Sequence, residues 1–287
     1  MGNEKAEAIF PRIGRVAYLN CLPVFYALEQ GWISIPGHVV AGHPAELNRA
    51  LAEGELEITA VSSLAYAYHF EQCLILPDLS ISSLGQVKSV ALLSKLPVKE
   101  LEGKYISLTP YSSTSVALLS ILLKSFYGVK AHFFTRPAGV SLWWAKPGCK
   151  EPAAALAIGD EALLWVNKSQ GLFVYDLGEE WHRFTGQPMV FALWVVKRSF
   201  AREYPEKVEV IWRGLVDSKK WGKEHLKELA LQASRLSGLP FSLLLEYFHV
   251  LQHDLTPKYL EGLRTFYQYA YREGWLPTFP QIEIWQP

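Results

Sequence analysis

No stretch of this chain approaches the roughly 18 consecutive apolar residues that a membrane-spanning helix needs. The first eleven residues carry Glu4, Lys5 and Glu7 in place of the apolar core of a signal peptide. A soluble, cytoplasmic protein without a membrane partner is therefore expected. An excess of charge is missing too: 28 Lys plus Arg balance 28 Asp plus Glu, so no global field attracts polyanions and nucleic acid is not an expected partner. Cysteine is scarce. Cys21, Cys73 and Cys149 are odd in number, far apart and outside any CxxC or Cys/His ligand spacing, which argues against both a disulfide framework and a zinc site and leaves three reduced thiols. The chain also has no GxSxG nucleophile turn, no Walker-type phosphate loop, no GxGxxG dinucleotide turn and no HExxH pair. Neither a metal nor a cofactor is expected.

What is present is an ordinary globular composition, half hydrophobic and one fifth charged, over 287 residues. That length favours one large domain or two lobes sharing a cleft. Ten Trp, 14 Tyr and 14 Phe could line a stacking cleft, although core packing is the commoner use of aromatics.

Short β-rich runs alternate with helical periodicity, the pattern of an α/β protein with mainly parallel sheets. Strands are expected over 12–17, 39–40, 58–61, 105–108, 153–158, 172–175 and 190–196. Helices are expected over 23–30, 44–53, 115–127, 161–166, 201–218, 223–237, 241–250 and 256–273, with Gly31, Gly54, Gly128 and Gly274 just past four of them. In the last, Thr256 is placed as N-cap and Pro257 at the first helical position. A charged link near Leu96 reads as a crossover to a second lobe and the region near 190–197 as the return. The expected lobes are thus 1–96 with 195–287, and 97–194.

Five segments, in order, resemble the chorismate dehydratase family of the futalosine route to menaquinone. They are Arg15-Val-Ala-Tyr-Leu-Asn-Cys-Leu-Pro23, Val87-Lys-Ser-Val-Ala-Leu-Leu-Ser94, Ser112-Ser-Thr-Ser-Val-Ala-Leu-Leu119, Ala157-Ile-Gly-Asp-Glu-Ala-Leu163, and Tyr175-Asp-Leu-Gly through Thr185-Gly-Gln-Pro-Met-Val-Phe-Ala-Leu-Trp194. The likeness runs from about residue 12 to about 196, followed by a less distinctive helical tail. It implies a two-lobe fold of the type II periplasmic-binding-protein kind with the ligand between the lobes. It also implies cofactor-free conversion of chorismate to 3-[(1-carboxyvinyl)oxy]benzoate and water. Two other functions share that fold: the dihydroxynaphthoate synthase that acts on cyclic dehypoxanthine futalosine, and a non-catalytic binder of small carboxylates, which would normally carry a secretion signal. A ligand-sensing domain is a third class, but no DNA-binding or partner domain is attached. Oligomeric state is not legible.

By motif match the resemblance assigns the catalytic positions to Asn20 and Ser89. An amide is a weak base, so Asn20 is expected to orient the substrate or the departing hydroxyl, with a base role in a dry pocket left open; by residue type alone it stabilises a turn. Ser89 binds a carboxylate or the leaving oxygen, or faces solvent on a strand. Ser112, Ser113, Thr114 and Ser115 precede a helix and form a carboxylate cradle or an ordinary cap; Thr114 and Ser115 are placed against the ligand by motif. Ser62 and Ser63 offer a second cradle or a second cap. Asp160 either organises the cleft or starts a helix, and its charge would repel a dianion unless protonated or paired. Tyr18 is expected to line the pocket. His43 is a candidate proton carrier, while Arg15 and Arg136 are either carboxylate partners or surface.

Overall fold

The structure, a computed structural model, describes residues 10–148 and 151–287. Cys149 and the charged segment with Glu4, Lys5 and Glu7 lie outside the described residues. The first half of the chain runs β1 (Arg12–Val16), α1 (Leu22–Glu29), β2 (His38–Gly42), α2 (Pro44–Glu53), β3 (Ile58–Ser62), α3 (Ser63–His69), β4 (Cys73–Ser83), β5 (Val90–Ser94), β6 (Tyr105–Leu108) and α4 (Ser113–Ile121). A π-helical turn, Leu122–Tyr127, extends α4. Then come β7 (His132–Thr135), β8 (Ala154–Ile158), α5 (Gly159–Asn167), β9 (Phe173–Asp176), α6 (Leu177–Thr185) and β10 (Met189–Lys197). Five helices complete the chain: α7 (Arg198–Glu203), α8 (Pro205–Glu224), α9 (Leu226–Ser237), α10 (Phe241–Val250) and α11 (Pro257–Arg272).

Two five-stranded sheets result, ordered β2-β1-β3-β10-β4 and β7-β6-β8-β5-β9. The central strands β5 and β8 are buried along their whole length, which is why their sequences are continuous apolar runs rather than alternating ones. Both sheets are mixed, not mainly parallel as expected. β10 runs antiparallel to β3 and β4, and β5 antiparallel to β8 and β9. These are the strands that arrive from the other lobe, and apolar periodicity carries no direction. The same strands move the crossovers. By sheet membership the chain changes lobe between Ser83 and Val90 and returns between Asp176 and Met189, several residues before the expected positions near 96 and 190–197.

Four elements escape periodicity altogether: β4, β5, β7 and α6. The helix expected over 201–218 is two helices, because Pro205 has no N–H to continue α7 and opens α8 instead. α8 then runs on to Glu224, past the expected start of the next helix. Its Lys219 is buried, donating from Nζ to the Asp78 carbonyl (2.6 Å) and pairing with Asp254 (2.8 Å). Gly222 of α8 meets α1, where a Cβ would lie 2.3 Å from the Pro23 carbonyl oxygen, so the two backbones touch. Thr256 does stand before α11, but its hydroxyl makes no capping bond.

The C-terminal segment also joins the first sheet. The Ser80 N–H donates to the His253 carbonyl (2.9 Å), and Ser82 and Gln252 exchange backbone bonds of 2.9 and 2.8 Å. The tail thus lies beside β4.

Candidate active-site cleft

Between the lobes lies a cleft of about 660 Å³, mouth included. Tyr18, Asn20, Pro44, Ser62 and Phe191 line it from the first lobe, and Ser89, Tyr111, Ser112, Ser115, Ile158 and Gly159 from the second. Val16, Ser62 and Ile158, at the carboxyl ends of β1, β3 and β8, mark the place where ligands bind open α/β sheets. The N-termini of α2, α4 and α5 open onto it through Pro44, Ser112 and Gly159. Unpaired N–H groups and the positive end of the helix dipole favour an anion there. None of the described residues lining the cleft is Lys or Arg.

Asn20 sits in a 3₁₀ turn, Leu19–Cys21, after β1. Its Oδ1 is buried and accepts no hydrogen bond, so the side chain does not serve the turn. An unpaired, desolvated acceptor costs about 1–3 kcal/mol, and the residue that carries it lines the cleft. Ser89 is also buried. Its N–H donates to the Val87 carbonyl (2.7 Å), and its carbonyl accepts from the Gly159 N–H (2.7 Å). The fully buried Tyr247 hydroxyl lies near the Ser89 hydroxyl without reaching hydrogen-bond geometry. Gly159 has φ +59°, and a Cβ there would come within 3.2 Å of the Tyr18 ring, so a side chain at this position would be both strained and in the way. Burial first, then Asp160, raises the Tyr18 phenol above its ordinary value. Burial pushes the Cys21 thiol, which also lines the cleft, up to about 12. Both therefore remain protonated near neutral pH.

The hydroxyl-rich segments divide. Ser112 caps α4, accepting from the Ser115 N–H (3.2 Å), and the two hydroxyls lie 3.0 Å apart, both in the cleft. Ser113 faces solvent. Thr114, expected against the ligand, is buried elsewhere, where its Oγ1 accepts from the Leu64 N–H (2.8 Å) and ties α4 to α3 of the other lobe. Ser62 lines the cleft and caps α3 through the Ala65 N–H (3.4 Å). Ser63 does not: it donates to the Val190 carbonyl (2.6 Å) inside the core. A seven-residue helix with one hydroxyl facing inward makes no second cradle to match α4.

Asp160 lies beside the cleft rather than in its lining, accepting from the Leu19 N–H across the lobes (3.2 Å). Burial raises its carboxyl to about 6, against the opposing pull of that hydrogen bond. The group is thus protonated more readily in the folded state than in the unfolded one, so its favourable contribution is complete below about pH 4 and is lost as pH rises through about 6. Asp160→Asn keeps a carbonyl acceptor for Leu19 and cannot ionise. The expected result is a variant more stable than wild type above pH 6, by on the order of 2 kcal/mol, with the advantage gone near pH 4. Thermal melts from pH 4 to 8 measure it, and parallel curves at every pH would sink the idea.

His43 stacks on Tyr111 at 5.7 Å across the lobes and meets Tyr18 edge-on at 6.4 Å, outside the lining. Neither arginine faces the cleft. Arg136 is buried against Glu161 and the Leu156 carbonyl, and Arg15 pairs with Glu29. Sequence reasoning passed over Tyr111, Phe191 and Asp176. The last accepts from the backbone N–H groups of Val87, Lys88, Gly178 and Glu179. Its signal was visible as Tyr175-Asp-Leu-Gly, an acidic residue just before a helix.

The model of the menaquinone biosynthesis family matches residues 11–272 of the chain. A chorismate dehydratase from Thermus thermophilus is 31% identical over 270 residues, which cover 88% of this chain and 93% of that protein. Among solved structures, protein AF1704 from Archaeoglobus fulgidus superposes with a TM-score of 0.75 at 21% identity, covering 94% of this chain and all of the other. The periplasmic aliphatic sulphonate binding protein SsuA from Escherichia coli superposes at 0.69 and 14% identity, covering 96% and 92%. The two-lobe architecture is that of the periplasmic binding proteins.

Proposed function

The chain belongs to the menaquinone biosynthesis family, and from that membership we propose that it is a cytoplasmic hydro-lyase converting chorismate to 3-[(1-carboxyvinyl)oxy]benzoate and water. The observation that carries the reading is the unpaired Asn20 Oδ1, desolvated in the same cleft as the buried Ser89. The reaction removes the proton at ring C3 and the hydroxyl at C4. The C3–H electron pair becomes the last ring double bond, and the C4–O pair leaves with the oxygen. Aromatisation makes the step downhill, so the protein's task is to hold a dianion, exclude bulk water and stabilise the departing oxygen.

The two carboxylates meet neutral donors only: the N-terminal turns of α2, α4 and α5, and the hydroxyls of Ser112 and Ser115. Fixed dipoles hold an anion without the flexibility of a lysine, and substrate and product carry the same two carboxylate charges, so that hold is unchanged as the ring aromatises. Asn20 accepts from the C4 hydroxyl and fixes the C4–O bond; Ser89 donates to the same oxygen as it departs. Among the described residues of the lining no side chain is poised as a base, since Tyr18 and Cys21 keep their protons, and Asp160 beside the cleft is turned to Leu19. The C3 proton therefore passes to the substrate's own enolpyruvyl carboxylate and then to the departing hydroxide, which leaves as water.

Purified protein mixed with chorismate is expected to form the enolpyruvyl benzoate, followed by chromatography and mass, well above the uncatalysed background. Chorismate left untouched while cyclic dehypoxanthine futalosine is consumed would replace the reading with the related synthase. Binding of either without turnover would leave a carboxylate binder.

A further inference from the structure

The family match runs on past β10 to residue 272, and the helical tail reaches the turn that carries Asn20. His253 is 3% exposed, and its Nε2 lies 2.8 Å from the backbone carbonyl oxygen of Asn20. A carbonyl only accepts, so Nε2 carries the proton and the ring is the donor. The Leu19 N–H, one peptide before those that flank Asn20, is held by Asp160, so the turn is gripped from both lobes, with His253 on the Asn20 carbonyl itself. His253 is itself fixed, because its own carbonyl accepts from Ser80 of β4 and its neighbour Gln252 pairs with Ser82. The next residue, Asp254, is clamped by Lys219 at 2.8 Å and Lys223 at 2.6 Å. Burial drives the imidazole down to about 4, so it is neutral where the enzyme works and puts no charge beside a dianion.

We propose that His253 is a positioning residue for Asn20: its Nε2–H sets the Asn20 peptide and so aims the unpaired Oδ1 at the substrate. The inference rests on the proposed role of Asn20 and extends the site to the C-terminal segment. Side-chain aim is set by the peptide that carries it, and a misplacement of about 1 Å at a reacting centre can cost about a hundredfold in rate.

The test is kinetic and structural together. His253→Gln keeps an amide N–H near the position of Nε2, whereas His253→Leu removes the donor. The expected result is a kcat for the Gln variant within about threefold of wild type and for the Leu variant about tenfold to a hundredfold lower, with KM nearly unchanged in both. A residue that merely supports the fold would lower the melting temperature in both variants without separating their kcat values, and that outcome overturns the inference. If the Leu variant does not fold, His253→Asn takes its place, its amide being too short to reach the carbonyl. Crystal structures of the variants keep the inference separate from the reaction. Should wild type leave chorismate untouched, the proposed function falls alone; a displaced Asn20 in the donor-less variant and not in His253→Gln still supports the positioning role, and an unmoved Asn20 refutes it.

Discussion

Asn20→Ala is expected to lower kcat for chorismate by about two to three orders of magnitude, to change KM by less than about tenfold, and to leave the protein as stable as wild type or slightly more so. The three parts follow from one atom. Oδ1 is buried and accepts from no group of the protein, so Asn20→Ala breaks no contact of the fold and relieves up to about 1 kcal/mol of desolvation. When the C4 hydroxyl is bound, the same atom fixes the bond that must break. A loss confined to that geometry appears in kcat, while the carboxylates, held by helix N-termini elsewhere in the cleft, keep KM near its wild-type value. Ser89→Ala is expected to follow the same pattern more weakly, about tenfold to a hundredfold in kcat, because hydroxyls and backbone donors remain nearby. Asn20→Asp separates the roles further. It restores an acceptor but adds a negative charge against a dianion, so KM should rise instead. Steady-state kinetics with circular dichroism and melts on the three variants measure all of this; an Asn20→Ala enzyme with undiminished kcat removes the amide from the mechanism. A functional residue that weakens the unliganded fold is what a preorganised site produces.

How much of this was readable without coordinates depends on which physical signal each feature leaves in the sequence. α2 was legible at both ends because Pro44 fits the first turn and Gly54 adopts the left-handed conformation that closes it. α10 and the apolar strand β8 were equally plain. β5 was not expected as a strand at all, and the direction of β10 was not legible, since a strand buried on both faces has the same composition whichever way it runs; the lobe crossovers were displaced with them. Of the two hydroxyls placed against the ligand by motif, Ser115 lines the cleft together with Ser112, and Thr114 does not. Ser112 and Ser115 are three apart and so share a side of the opening turn, whereas Thr114 is rotated away toward α3. Spacing would have ranked the first pair above Thr114. His253 leaves no local trace at all. Its role arises because the tail pairs with β4 and passes behind Asn20, 233 residues away in sequence, and no periodicity records that.

Asp176 was present in a motif and given no role, and the second large effect is expected there. Oδ1 accepts from the N–H groups of Gly178 (2.9 Å) and Glu179 (3.1 Å) at the start of α6, and both oxygens reach Val87 at 3.1 and 3.0 Å. Oδ2 also accepts from Lys88 at 2.6 Å. One carboxylate thus joins the two stretches of chain that cross between the lobes. The Lys88 bond matters most for the site, because Lys88 has φ +60° and the Ser89 N–H closes back onto the Val87 carbonyl, a tight turn that no β-carbon-bearing residue adopts freely. The carboxylate holds that strained turn, and the turn presents Ser89. Asp176→Ala leaves the buried N–H groups of Val87 and Gly178 without their acceptor, along with the half-buried Lys88 and the exposed Glu179, and a destabilisation of about 2–4 kcal/mol is expected. Asp176→Asn is the sharper variant. It is isosteric and keeps Oδ1, yet puts an NH₂ against the Val87 and Lys88 donors, so donor meets donor at the strained turn while the α6 cap survives. Its kcat should fall by about as much as that of Ser89→Ala, about tenfold to a hundredfold, with a loss of stability smaller than in the Ala variant. Chemical denaturation and kcat on the two variants decide it. If Asp176→Asn turned over at the wild-type rate, the carboxylate would be a tie between crossovers and nothing more; a fall in kcat that outruns the fall in stability would make the turn at Lys88 the device by which a residue outside the cleft aims one within it.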